Sequence, residues 1–135
     1  MIKESEKALI GSAFHILCHE LFINSQAHGF HDREDTRYFK CGDDGNFVQV
    51  DLTPEFKAAR IALAQSELSE ALEGIRKPHQ DEHCPEFTSE EIEYADTVIR
   101  ILEYSEHRKL RLFEAIMAKH NYNINRPMMH GGKRF

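Results

Sequence analysis

Apolar residues recur at helical spacing in four stretches of this chain, and the breaks between them carry turn chemistry. Ile10, Phe14, Leu17 and Leu21 fall at i, i+4, i+7 and i+11, which predicts a first helix over 3–27, ended by Gly29. Ile61, Leu68, Leu72 and Ile75 stripe a second helix, opened by Thr53 as N-cap with Pro54 at its first position and stopped by Pro78. Ile92, Ala95, Ile99 and Leu102 stripe a third, with Thr88 and Glu91 forming a capping box at its start. From Thr88 to Asn125 there is neither Gly nor Pro, so the polar patch Ser105-Glu106-His107-Arg108-Lys109 is the expected break. Leu110, Phe113, Ile116 and Met117 follow as the stripe of a fourth helix. Between the first two helices lies a polar stretch, 28–53, with a turn signal at Asp43-Asp44-Gly45-Asn46. Its flanks, Tyr38-Phe39 and Phe47-Val48-Gln49-Val50, can pair as a small hairpin or remain a long loop. The expected architecture is all-α: one four-helix-type bundle domain over 1–135, with that loop or hairpin at about 28–53.

Composition narrows the class. At 135 residues, 41% hydrophobic and 30% charged, the chain reads as one soluble globular domain. No apolar run approaches the roughly 18 residues of a membrane span, and the polar start is unlike a secretory signal. Three scattered cysteines, Cys18, Cys41 and Cys84, suit a reducing cytosol better than a disulfide framework. The expected location is therefore cytoplasmic. A net charge of −6 without a basic run argues against a nucleic-acid partner. An acidic protein can still meet polyphosphate through metal ions.

That possibility directs attention to two short acidic words. Glu67-Leu68-Ser69-Glu70 and Glu93-Tyr94-Ala95-Asp96 each place two carboxylates at i, i+3, side by side on a helix. Each pair sits on the flank of an apolar stripe, and Ala64, Ala71 and Gly74 leave room beside the first. If the two stripes pack antiparallel, four carboxylates converge beside the core. Such repulsion persists only if a cation offsets it, and hard oxygen ligands suit Mg²⁺ or Mn²⁺. The competing reading is a solvated acidic face. Glu70/Glu73, Glu90/Glu93, Glu103/Glu106 and Asp32/Asp35 have the same spacing in a chain with 23 acids.

Other candidates are thinner. His15 and His19, with Cys18 between them, and the linker trio His79, His83 and Cys84 have zinc-like spacing, but neither has a recognisable completing ligand beyond a conjectural Cys41. Phe30 can stack on a base or simply anchor the loop. The C-terminus concentrates Lys119, Arg126, Lys133 and Arg134 near Gly131-Gly132, where exposed N–H groups can bind anionic oxygens. The alternative is a frayed, solvated tail.

Taken in order, ELSEALEGIRK, EYADTVIRILE and KHNYNINRPMMHGGKRF resemble the MazG-like all-α nucleoside triphosphate pyrophosphohydrolases over about residues 28–135. That family's E-x-x-E and E-x-x-D words correspond to Glu67, Glu70, Glu93 and Asp96, and its K-x-x-x-N-x-x-R stretch to Lys119, Asn123 and Arg126. The resemblance implies a Mg²⁺-dependent hydrolase, with Mn²⁺ as a substitute. Its metal ligands would be Glu67, Glu70, Glu93 and Asp96, with Glu70 and Glu67 serving catalysis and Glu70 taking the proton of the attacking water. Lys119, Asn123, Arg126 and Lys133 would hold the nucleoside triphosphate. It also implies a homodimer or homotetramer. The chain departs from the family pattern at Ser66, where many members carry another Glu. It departs again at SEHRK, which replaces a Gly-containing turn, and in the unmatched loop 31–53. A relative acting on phosphoribosyl-ATP and a non-catalytic helical interaction module are the alternatives.

Overall fold

The computed structural model describes residues 2–30, 37–41 and 47–126. In chain order these form α1 (Glu4–Ala27), β1 (Arg37–Cys41), β2 (Phe47–Leu52), α2 (Pro54–Arg76), α3 (Ser89–His107) and α4 (Leu112–Ile124). The described part of the chain is thus an all-helical protein carrying one small hairpin. The strands pair antiparallel, Phe39 opposite Gln49 and Cys41 opposite Phe47, with a register shift between Tyr38 and Phe39.

Local signals set the helix ends. The Thr53 hydroxyl accepts the Phe56 N–H at 3.2 Å, with Pro54 in the first turn. At α3 the Thr88 hydroxyl accepts from the Glu91 N–H, and the Glu91 carboxylate accepts the Thr88 N–H at 2.8 Å. Each bond satisfies a backbone donor that the helix leaves over. The linker between α2 and α3 doubles back through an antiparallel bridge of Gln80 with Thr88, closed by Ser89 N–H donating to His79 O. α3 ends at Arg108, within the polar patch, and Lys109 takes a positive φ of 51° before α4 begins.

The packing overturns the expected faces. α3 is the axis, lying against both α2 and α1. The stripe Ile61, Leu68, Leu72 and Ile75 is not buried in the seam: these residues are 48–55% exposed. What α2 buries is Arg60, Glu67, Ala71 and Gly74, at i, i+7, i+11 and i+14. On α3 the expected stripe holds in part, Leu102 being buried and Ile92 half-buried, while Ile99 and Ala95 are exposed and Ser89, Thr97, Glu103 and Ser105 are buried as well. The reason is a close helix approach. A Cβ on Gly74 would stand 3.0 Å from Glu90 N and 3.2 Å from Ser89 Oγ, so large apolar side chains do not fit this seam. Small residues set the separation and ion pairs neutralise the buried charge.

α1 shows a similar rotation. Gly11, Cys18 and Ser25 are buried at i, i+7 and i+14, with Phe14 and Leu21 half-buried, while Ile10 and Leu17 of the expected stripe are exposed. α4 is attached peripherally and has no fully buried residue. Its Phe113 ring sits 5.7 Å from that of Phe14 and fills the space left by Gly11, whose Cβ would come within 2.9 Å of Phe113 Cε1. Leu110 and Ile116, expected on the α4 stripe, are exposed.

Candidate metal centre

The α2–α3 seam is a ladder of charges. At one end Arg60 of α2 donates to the Glu103 carboxylate of α3, with both side chains 7% exposed. The next rung runs the other way, Arg100 Nε of α3 donating to Glu67 of α2. Beyond it the pairing stops. Carboxylate oxygens of Glu67, Glu93 and Asp96 lie within 4.8 Å of one another, the one such group of possible metal ligands among the described residues.

Electrostatics mark this group as only partly relieved by Arg100. Burial, then the charges of Glu70, Glu67 and Asp96, pushes the Glu93 carboxyl above its ordinary range. Burial and the charge of Glu67 likewise raise Asp96, against an opposing pull from Arg100. Both shifts express the cost of crowding negative charge into a partly buried place, and a cation would relieve it. The donor set is all oxygen, as Mg²⁺ and Mn²⁺ prefer, so the residues fit such an ion.

Three of the four acids singled out from the sequence therefore come together. Glu70 is exposed and outside the group of three, although its charge reaches Glu93. Phe30 borders a cavity of about 260 Å³ that also touches Asn24, Ser25, Arg60, Asp96 and Arg100. Its position follows from the end of α1. Gly29, at φ 78°, sends its N–H to Gln26 O, and Phe30 N–H reaches Ser25 O at 3.2 Å. This left-handed C-terminal turn folds Phe30 back beside the helix end.

The C-terminal candidates are placed differently. Lys119 Nζ and the Arg126 guanidinium lie over the Tyr122 ring, at 4.7 and 5.7 Å, and these two residues and Asn123 are exposed. None of the three lines the cavity beside Asp96. Lys133 lies outside the described residues. The zinc-like sets do not assemble among the described residues. His15 packs on Phe14 and Phe113, and His19 Nδ1 lies 3.7 Å from Glu106. The Asp81 carboxylate accepts the N–H groups of His83 and Cys84, which holds the linker turn.

Sequence reasoning missed Arg60, Arg100 and Glu103. The signal was present: Asp96, Arg100 and Glu103 share a face at i, i+4 and i+7, and Arg60 precedes Glu67 by seven. No family model, no curated protein and no solved structure matches this chain. No helix among the described residues is long and apolar enough to cross a membrane.

Proposed function

We propose that the chain is a metal-dependent nucleoside triphosphate pyrophosphohydrolase of the MazG-like kind, releasing a nucleoside monophosphate and pyrophosphate. The observation that carries this reading is the convergence of Glu67, Glu93 and Asp96, where Arg100 pairs with Glu67 and leaves Glu93 and Asp96 crowded against it. A bound Mg²⁺ or Mn²⁺ supplies charge to offset the phosphoryl oxygens and lowers the pKa of water. The chain's own residues do the rest. Glu67, Glu93 and Asp96 hold the ion, and Glu70, exposed beside them, helps hold it and takes the proton of the attacking water. Phe30 stacks on the base in the cavity next to Asp96. Lys119, Asn123, Arg126 and Lys133 contribute donors for the phosphates.

The reading includes a homodimer or homotetramer. Ile61, Leu68, Leu72 and Ile75 on α2 and Val98 and Ile101 on α3 are exposed, an apolar surface larger than scattered single residues. Leu68→Glu is expected to reduce the assembly state in light scattering while preserving helicity. An unchanged mass would remove that face from the interface.

One observation favours a second reading, in which the acids only brace the seam: Glu67 already has an arginine partner. Incubating the protein with a panel of nucleotides, phosphoribosyl-ATP included, with and without Mg²⁺, and resolving the products by chromatography decides between them. Metal-dependent formation of a monophosphate and pyrophosphate is expected. No product from any member of the panel would overturn the proposed activity.

A further inference from the structure

Arg100 has no part in the acidic words, yet it is the cation that meets them. Its Nε donates to Glu67, whose side chain is 8% exposed, and its own side chain is 34% exposed. It also borders both the cavity beside Asp96 and an apolar groove of about 320 Å³ along Ile61, Leu68 and Tyr104. The contrast with Arg60 is informative. Arg60 borders the same two spaces, yet its side chain and that of Glu103 are enclosed, at 7% exposure each, and neither belongs to the group of three carboxylates. The Arg100 pair instead joins a buried acid of that group to an arginine 34% exposed.

We propose that Arg100 is an exchangeable internal counter-ion: it neutralises Glu67 in the metal-free protein and is displaced when a divalent cation binds Glu67, Glu93 and Asp96. The inference rests on the metal-site reading above. The physical ground is competition for one carboxylate. A divalent ion at Glu67 repels a guanidinium held on the same group, so each cation weakens the other's hold on it. Without an ion, three crowded carboxylates would face one another with no offset, so the arginine preserves the seam. Arg100 is thus a positioning residue whose effect on the ion is antagonistic. Its removal weakens the empty protein and strengthens metal binding.

The test is calorimetric titration of Mn²⁺ into the wild type, Arg100→Gln, Arg100→Lys and Glu93→Gln, with melting temperatures measured with and without Mn²⁺. Arg100→Gln is expected to bind Mn²⁺ about tenfold more tightly than the wild type, the size of an ordinary coupling between two ligands. It is also expected to melt lower than the wild type without metal, a deficit that saturating Mn²⁺ narrows. Arg100→Lys keeps the charge and is expected to bind Mn²⁺ close to the wild-type value, which guards against a folding defect in the glutamine variant. A purely structural arginine would give the melting deficit with no gain in affinity, and Mn²⁺ would not narrow it. That result overturns the proposal while leaving the metal site standing. Absence of Mn²⁺ binding in the wild type and in both arginine variants would overturn the metal-site reading and this inference with it. Weaker binding in Glu93→Gln alone, with Arg100→Gln equal to the wild type, would overturn only the role of Arg100.

Discussion

The two halves of the α2–α3 seam bury the same kinds of residue and treat charge in opposite ways. Toward the start of α2, Arg60 and Glu103 neutralise each other out of solvent. One turn past the Arg100–Glu67 rung, Glu93 and Asp96 are crowded against Glu67 and their carboxyls are pushed upward in pKa. A helix pair that needed only to be held together would continue the ladder of pairs. The interruption is where the seam departs from self-sufficiency, and unrelieved charge of this kind concentrates at functional sites. The lesson is that a buried, paired charge does not by itself mark a site; further carboxylates crowded against it do.

The largest expected effect breaks the paired half. Arg60→Ala leaves Glu103 buried and alone, and urea unfolding should show a loss of about 3–5 kcal/mol. Replacing both partners by methionine should recover most of it. If the single change costs nothing, the paired half is not what holds the helices together.

Next comes the unpaired half. Glu93→Gln and Asp96→Asn keep size and remove one charge, so the fold should survive while turnover falls about a hundredfold or more. The methionine pair at 60 and 103 lines the cavity beside Asp96 but leaves all three carboxylates in place, so it should lose less activity than either acid variant. Steady-state rates for these three proteins check the comparison directly. Equal losses in all of them would mean that the site depends on the whole seam rather than on its acids.

The smallest effect is a pH signature. Asp96 has a folded-state pKa raised above its ordinary value, so in metal-free protein its ionisation opposes folding. Below the ordinary carboxylate range it is protonated whether folded or unfolded and contributes no such penalty. The penalty grows as pH rises through the ordinary range and the raised value, and it is complete at neutral pH. Asp96→Asn should therefore melt above the wild type at pH 7. The gap should close as the pH falls through the carboxylate range, and saturating Mg²⁺ should reverse its sign at pH 7. Melting curves at several pH values, with and without Mg²⁺, read all of this.

What was legible in the residues follows from the range of the forces involved. Thr53-Pro54, the Thr88–Glu91 box and the polar break after Ser105 act within a turn or two of themselves, and the helix ends fall where they indicate. The two acidic words were legible for the same reason, since i, i+3 spacing is local. Which face each helix buries was not. Hydrophobic periodicity selects Ile61, Leu68, Leu72 and Ile75, yet the chain turns Arg60, Glu67, Ala71 and Gly74 inward. That choice depends on partners far away in sequence, Glu103 for Arg60 and Arg100 for Glu67, and on the room that Gly74 leaves for Glu90. A periodicity argument treats every charge as solvated and is blind to such pairs. The separation of Glu70 from the group of three is likewise a matter of how far each helix is rotated about its axis.

The central claim is that the unpaired half of the seam holds a divalent cation. Calorimetric titration of Mg²⁺ into the metal-free wild type and into Glu93→Gln, under identical salt and pH, tests it most directly. The account predicts saturable binding by the wild type and binding at least about tenfold weaker in the variant, the loss expected when a charged ligand is removed from an oxygen site. Equal affinity in the two proteins, or no saturable binding in either, would contradict it.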